Sequence, residues 1–149
     1  MTSPEELSEE EKTLQFKHFA NEDALVFANG AVAAAKKLGT KPITLRVELN
    51  GQVILEFWMT GRDHAGWLAR KVHTVLETGH ASLWTFQHQD EQPYHDWLKD
   101  ETQAVCGGGF PLVIGGKLRG ALAVSGLDHQ DDHRVLVAAL KATLAAQND

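Results

Sequence analysis

CGGGFPLVIGGKLRGALAVSG, residues 106–126, reads as a β-hairpin opened by glycines. Residues 110–114 and 118–124 are apolar runs of strand length, and Gly115-Gly116 between them supplies the positive φ angles of a two-residue turn. Both runs are too apolar to face water. The small residues Gly120, Ala121 and Ala123 leave room for a close neighbour, so a helix is expected to pack across the second strand. Gly107-Gly108-Gly109 enters a strand rather than a helix and carries no Lys-Ser/Thr, so it reads as a bend or backbone-approach site and not as a phosphate loop.

Working outward, Asp128-His129-Gln130-Asp131-Asp132 opens a last helix in which Leu136, Leu140 and Leu144 stack at four-residue spacing, ending near Ala146. Upstream, Ile43, Leu45, Val47 and Leu49 alternate with polar residues, and Asn50-Gly51 turns the chain into a second hairpin strand over residues 52–59. In that strand Val53, Leu55, Phe57 and Met59 are expected on one face and Ile54, Glu56 and Trp58 on the other. A helix is predicted from Asn21 to Gly39 on an alanine-rich stripe expected to lie close to its sheet, and another over residues 64–78 with Asp63 as N-cap. The latter carries a core side (Leu68, Val72, Val75, Leu76, Gly79) and a second stripe of Trp67, Arg70, Lys71 and Thr74. Residues 3–11 read as a short acidic helix capped by Ser3 with Pro4 in its first turn, and residues 13–17 as a short strand. Residues 79–103 read as a partly helical excursion. The expectation is an α+β sandwich with a five-stranded, mainly antiparallel sheet, residues 1–12 forming an N-terminal helical arm and 13–149 one domain.

At 149 residues with 43% hydrophobic and 23% charged composition, a chain of this length buries ~70% of its unfolded surface without staples. No apolar run approaches the roughly 20 residues of a membrane helix, and the acidic start is unlike a signal peptide, so a cytoplasmic place is expected and no membrane partner. The single cysteine, Cys106, excludes an internal disulfide. A net charge of −6 and the lack of a basic cluster interleaved with aromatics argue against nucleic acid as a partner.

Chemistry is concentrated in two places. Trp67, Arg70, Lys71 and Thr74 put two cations beside an indole, suited either to a carboxylate or propionate or to a contact between subunits. The tract from Asp128 to His133 sets His129 and His133 on one helix face with carboxylates nearby, so that His129, Asp132 and His133 form a set that Zn²⁺ or iron can use, although no HExxH or CxxC spacing accompanies it. His64, near the Trp67 helix, is the candidate axial or acid/base residue if the ligand is a haem. Cys106 reads as packing, and Ser125 lacks the spacing of a nucleophile elbow.

Trp67-x-x-Arg70-Lys71-x-x-Thr74-Val75, then Gly107-Gly108-Gly109-Phe110-Pro111-Leu112, then Val124-Ser125-Gly126-Leu127 with Asp132-His133 resembles the haem-degrading-domain proteins related to GlcG and HbpS. The resemblance covers nearly the whole chain from about Leu14. It implies a profilin-like α/β/α sandwich assembled into dimers or larger rings, with haem or iron as the ligand of HbpS-like members. The loop Gly61-Arg62-Asp63-His64 departs from the family pattern, being shorter and carrying His64 in place of an asparagine. The functional expectation is an oligomeric protein binding a haem-like or small anionic ligand through His64, Trp67, Arg70, Lys71, Thr74, Gly107, Gly108, Gly109 and Pro111. A structural or chaperone-associated interaction module is the alternative, and a haem-degrading enzyme a third class.

Overall fold

The computed structural model describes residues 1–148. Strands β1 (Thr44–Leu49), β2 (Gln52–Trp58), β3 (Gly109–Ile114) and β4 (Lys117–Ser125) make one antiparallel sheet in the order β2-β1-β4-β3. Around it, within the described residues, run helices α1 (Pro4–Thr13), α2 (Asp23–Leu38), α3 (Gly66–Thr78), α4 (Ser82–Gln87), α5 (Tyr94–Trp97) and α6 (His129–Gln147). Among the described residues no helix is long and apolar enough to cross a membrane.

The period of two along β4 decides the layers. Leu122 and Val124 point to one side, where with Leu45, Val47, Phe110 and Leu112 they meet Phe27 and Ala31 of α2 and Leu136 and Leu140 of α6. Ala121 and Ala123 point to the other, where α3 lays Leu68, Val72 and Val75 on them. Burying each large aliphatic or aromatic side chain is worth about 1.5–3 kcal/mol, so the α2/α6 side supplies most of the apolar stabilisation. The alanines are what let α3 sit close, as expected. Gly120 has a different reason: a Cβ there would run into the Glu48 carbonyl of the neighbouring strand β1, not a helix. The small residues of α2 serve its partner helix as much as the sheet, since a Cβ on Gly30 would stand 3.3 Å from the Ala139 backbone of α6.

Three expectations are corrected. The sheet has four strands, not five: α1 runs on to Thr13, and of residues 13–17 only Phe16 pairs, its N–H donating to Val113 and its carbonyl accepting from Gly115. In β2 the register passes from Val47 opposite Leu55 to Glu48 opposite Val53, so Ile54 is an extra residue. That bulge lets Ile54 and Leu55 both pack on the α2/α6 core and leaves Val53 51% exposed, off the face it was expected to share with Leu55. Helix α3 begins at Gly66 after Ala65, without a side-chain cap from Asp63, and Leu76 is exposed while Lys71 and Thr74 take core positions. The Ser3 cap on α1 is present as a reciprocal capping box with Glu6, and Asp128 caps α6 through Gln130.

Candidate functional site

The glycine run is where α3, β4 and α6 come closest. A Cβ on Gly109 would stand 2.9 Å from Val75 Cγ2, and one on Gly108 only 2.5 Å from Lys71 Nζ; one on Gly107 would strike the His129 carbonyl. The three glycines thus hold open the space in which α3 and α6 meet around the end of the sheet. Their polar groups are fixed: Gly107 N–H donates to His129 Nδ1 at 2.9 Å, the Gly108 carbonyl accepts from Val124, and Gly109 N–H donates to Ser82 Oγ at 2.8 Å.

Lys71 fills that space. It is 2% exposed, and its ammonium donates to the Val124 carbonyl at 2.8 Å and to Asp132 Oδ2 at 3.1 Å. The other Asp132 oxygen accepts from Leu127 N–H at 3.0 Å. Burial pushes the Asp132 carboxyl above its ordinary range, and the charge of Lys71, the Leu127 N–H and the charge of Arg62 pull it only part of the way back.

Above the pair opens a cleft of about 250 Å³ lined by Trp67, Lys71, Cys106, Ser125, Leu127, His129 and Asp132. Burial also lowers the pKa of His129 against the opposing charge of Asp128; because Nδ1 accepts from Gly107, the neutral ring carries its proton on Nε2. Cys106 is driven up by burial more than Lys71 draws it down, which leaves a thiol and not a thiolate. Arg62, on the loop before α3, is not among the lining residues but lies close enough for its charge to act on Asp132. Its guanidinium carbon would lie 3.5 Å from a Cβ on Gly126, between Ser125 and Leu127, and its Nε is buried without a hydrogen-bond partner.

The chain matches the family described as haem degrading protein HbpS-like over residues 19–141. It belongs to that family. The UPF0303 protein SCO2848 of Streptomyces coelicolor is 31% identical, the match covering 91% of this chain and 90% of that one. The crystal structure of the Ybr137w protein superposes with a TM-score of 0.84 at 25% identity, over 97% of this chain and 89% of that one. A PduOC:heme complex shares the fold, with a TM-score of 0.68 at 19% identity over 83% of this chain and 94% of its own.

Set out in this HbpS-like fold, the expected site residues divide. Trp67 and Lys71 line the cleft, and Gly107, Gly108 and Gly109 support it from beneath. Arg70 turns away: its Nε donates to the Gln103 carbonyl at 2.8 Å and its guanidinium stacks on Trp67, 3.8 Å from the ring centre. Thr74 is buried, donating to Gln103 Oε1 and accepting from Ala104 N–H, and so fixes the segment leading to Cys106. Pro111 sits within β3 opposite Ala121, and His64 is on the surface, its side chain 65% exposed and outside the cleft lining.

His129, Asp132 and His133 do not converge. Asp132 is taken by Lys71 and Leu127, His129 Nδ1 by Gly107, and His133 Nε2 by Glu10 at 2.7 Å; among the described residues no group of three or more His, Cys, Asp or Glu side chains is placed to hold a metal ion. Sequence reasoning missed Cys106, Ser125 and Leu127 as cleft residues and Arg62 as their neighbour. A signal for Lys71 was present, because Leu68, Lys71, Val72 and Val75 follow the spacing of one helix face.

Proposed function

We propose that the cleft binds a small organic acid, its carboxylate held by Arg62 beside the Lys71 ammonium and its apolar part set against Trp67 and Leu127. The observation that carries this reading is the buried, unpartnered Nε of Arg62, whose guanidinium lies beside Gly126, between the cleft residues Ser125 and Leu127, next to a cleft whose lining already holds a lysine. An unsatisfied buried donor costs about 1–3 kcal/mol, and a bound carboxylate removes that penalty. With Lys71 and Arg62 against the single carboxylate of Asp132, the site favours an anion.

Haem is the second reading, supported by the family description and by PduOC, a heme complex on the same fold. The residues present do not fit it. The cleft of about 250 Å³ is below the roughly 300–1,000 Å³ that drug-sized ligands fill, and a porphyrin is larger than most of those. His129 carries its proton on Nε2 and would have to give up Gly107 to present a lone pair to iron. A homo-oligomer remains part of the proposal, supported by the exposed apolar side chains Leu25, Phe57 and Trp58 around the outer strand β2; a cytoplasmic place and a profilin-like fold are proposed alongside it.

Calorimetric titration of the purified chain with short aliphatic and aromatic carboxylates tests the first reading. Saturable binding that weakens at least tenfold in Arg62→Met is expected, a loss of about 1.4 kcal/mol or more. No binding at millimolar acid would overturn it. A parallel visible-absorbance titration with hemin is expected to give no saturable Soret band, and a stoichiometric band would restore haem as the ligand.

A further inference from the structure

We infer that the acid is planar and aromatic, a single ring bearing a carboxylate, and that Arg70 is a positioning residue that holds Trp67 as its stacking wall. This rests on the reading of the cleft as a small-acid site and adds the class of acid.

Trp67 and Arg70 are three residues apart on α3 and share one side of the helix. Arg70 lies over one face of the indole at 3.8 Å, and it is itself pinned by the Gln103 carbonyl at 2.8 Å and the Asp100 carbonyl at 3.4 Å. A guanidinium fixed at both ends clamps a tryptophan that is otherwise 40% exposed. Trp67 lines the cleft and Arg70 does not, and the indole face opposite Arg70 is the one proposed to take the ring.

A flat ring entering there completes a ligand–indole–guanidinium stack, and the cation behind the indole favours an electron-rich, anionic ring in front of it. Because the wall is held before the ligand arrives, little side-chain freedom is lost on binding. Leu127 gives an apolar surface elsewhere in the lining, Arg62 and Lys71 take the carboxylate, and a cleft of about 250 Å³ admits one ring and not a larger assembly.

The test compares benzoate with cyclohexanecarboxylate, acids of the same carbon count of which only the first is flat, by calorimetry on the full chain. Benzoate is expected to bind about tenfold more tightly. Trp67→Leu should erase the difference, Trp67→Phe should keep most of it, and Arg70→Met should shrink it by weakening benzoate more than cyclohexanecarboxylate. Equal binding of both acids by the wild-type chain would overturn the aromatic assignment and leave the small-acid reading standing. A preference for benzoate that survives Trp67→Leu would overturn the wall. Failure of both acids to bind would overturn the two readings together.

Discussion

Asp132 and Glu56 are both held by a cation and a further N–H, one beneath the cleft and one on the outer strand pair, yet their surroundings drive them in opposite directions. Asp132 meets Lys71 at 3.1 Å and the Leu127 N–H at 3.0 Å, with almost no water; Glu56 meets Arg46 at 2.7 Å and the Trp58 indole N–H at 2.9 Å with its side chain 28% exposed. For Asp132 burial wins, and the carboxyl lies above its ordinary range. For Glu56 burial also pushes upward, but the Trp58 and Arg46 hydrogen bonds and the Arg46 charge together outweigh it, and the carboxyl lies below. Partner distance does not separate the two cases; water does. A buried ion pair is weak support for net stability because desolvation cancels most of its attraction. Its presence at the base of a cleft is better explained by its place in the fold, fixing the meeting of α3, β4 and α6.

The largest expected effect follows from breaking the buried pair. Lys71→Met leaves Asp132 as an uncompensated buried charge, and Asp132→Leu leaves Lys71 so, each at a cost of about 3–5 kcal/mol in urea unfolding. The double variant Lys71→Met with Asp132→Leu should recover most of the loss, since well-packed apolar residues replace both charges, and should still fail to bind the acid. A double variant as unstable as either single would mean that the pair is a net source of stability and would remove the difference drawn from Glu56, while one as unstable as the sum of the singles would mean that the two charges act independently. Next in size is Gly108→Ala. Gly108 has φ of 120°, and the added methyl would meet Lys71 Nζ at 2.5 Å and the Val124 carbonyl, so strain of about 1–3 kcal/mol and overpacking of similar size combine. In the Lys71→Met background the clash is with a flexible thioether, and the cost of Gly108→Ala should fall; an unchanged cost would show that the backbone alone demands glycine.

How far the sequence reveals these features depends on whether the cause is local. The two hairpins are legible because Asn50-Gly51 and Gly115-Gly116 sit between runs of the right length, and the layer order because Ala121 and Ala123 alternate with Leu122 and Val124. The bulge at Ile54 carries no Gly or Pro to mark it and arises from packing against α2 and β1, so strict alternation mispredicts Val53. The missing fifth strand is likewise tertiary, a matter of how far α1 extends before Phe16 reaches β3. At the site, Trp67 was legible, but Lys71 read as Arg70's equal although consecutive helical residues stand about 100° apart. That rotation sends Arg70 to the 100–103 loop and Lys71 into the core. Asp132 read as a metal ligand because its partner lies 61 residues away on the other side of the sheet. Arg62 belongs to a loop with no periodicity, and only the fold shows its buried nitrogen.

The smallest effects lie at the exposed pair, and they sharpen the comparison through their sign. Glu56→Gln should cost no more than about 1 kcal/mol, as for other solvent-exposed ion pairs, and part of that should disappear at high salt. The folded Glu56 carboxyl gives up its proton more readily than the unfolded chain does. Its contribution is therefore present above the ordinary carboxylate range and is lost as pH falls through the lowered folded value. The folded Asp132 carboxyl holds its proton more firmly than the unfolded chain. Its contribution is full below the ordinary range and is lost as pH rises through the raised folded value. Unfolding free energies measured from acid to neutral pH for wild type, Glu56→Gln and Asp132→Asn should give two difference curves of opposite slope, with carboxyl NMR titrations placing the Glu56 midpoint below the ordinary range and that of Asp132 above it. An Asp132 midpoint below the range would mean that Lys71 outweighs desolvation even in the core. The two carboxylates would then differ in degree and not in sign, and the buried pair would have to be counted among the forces that hold the fold together.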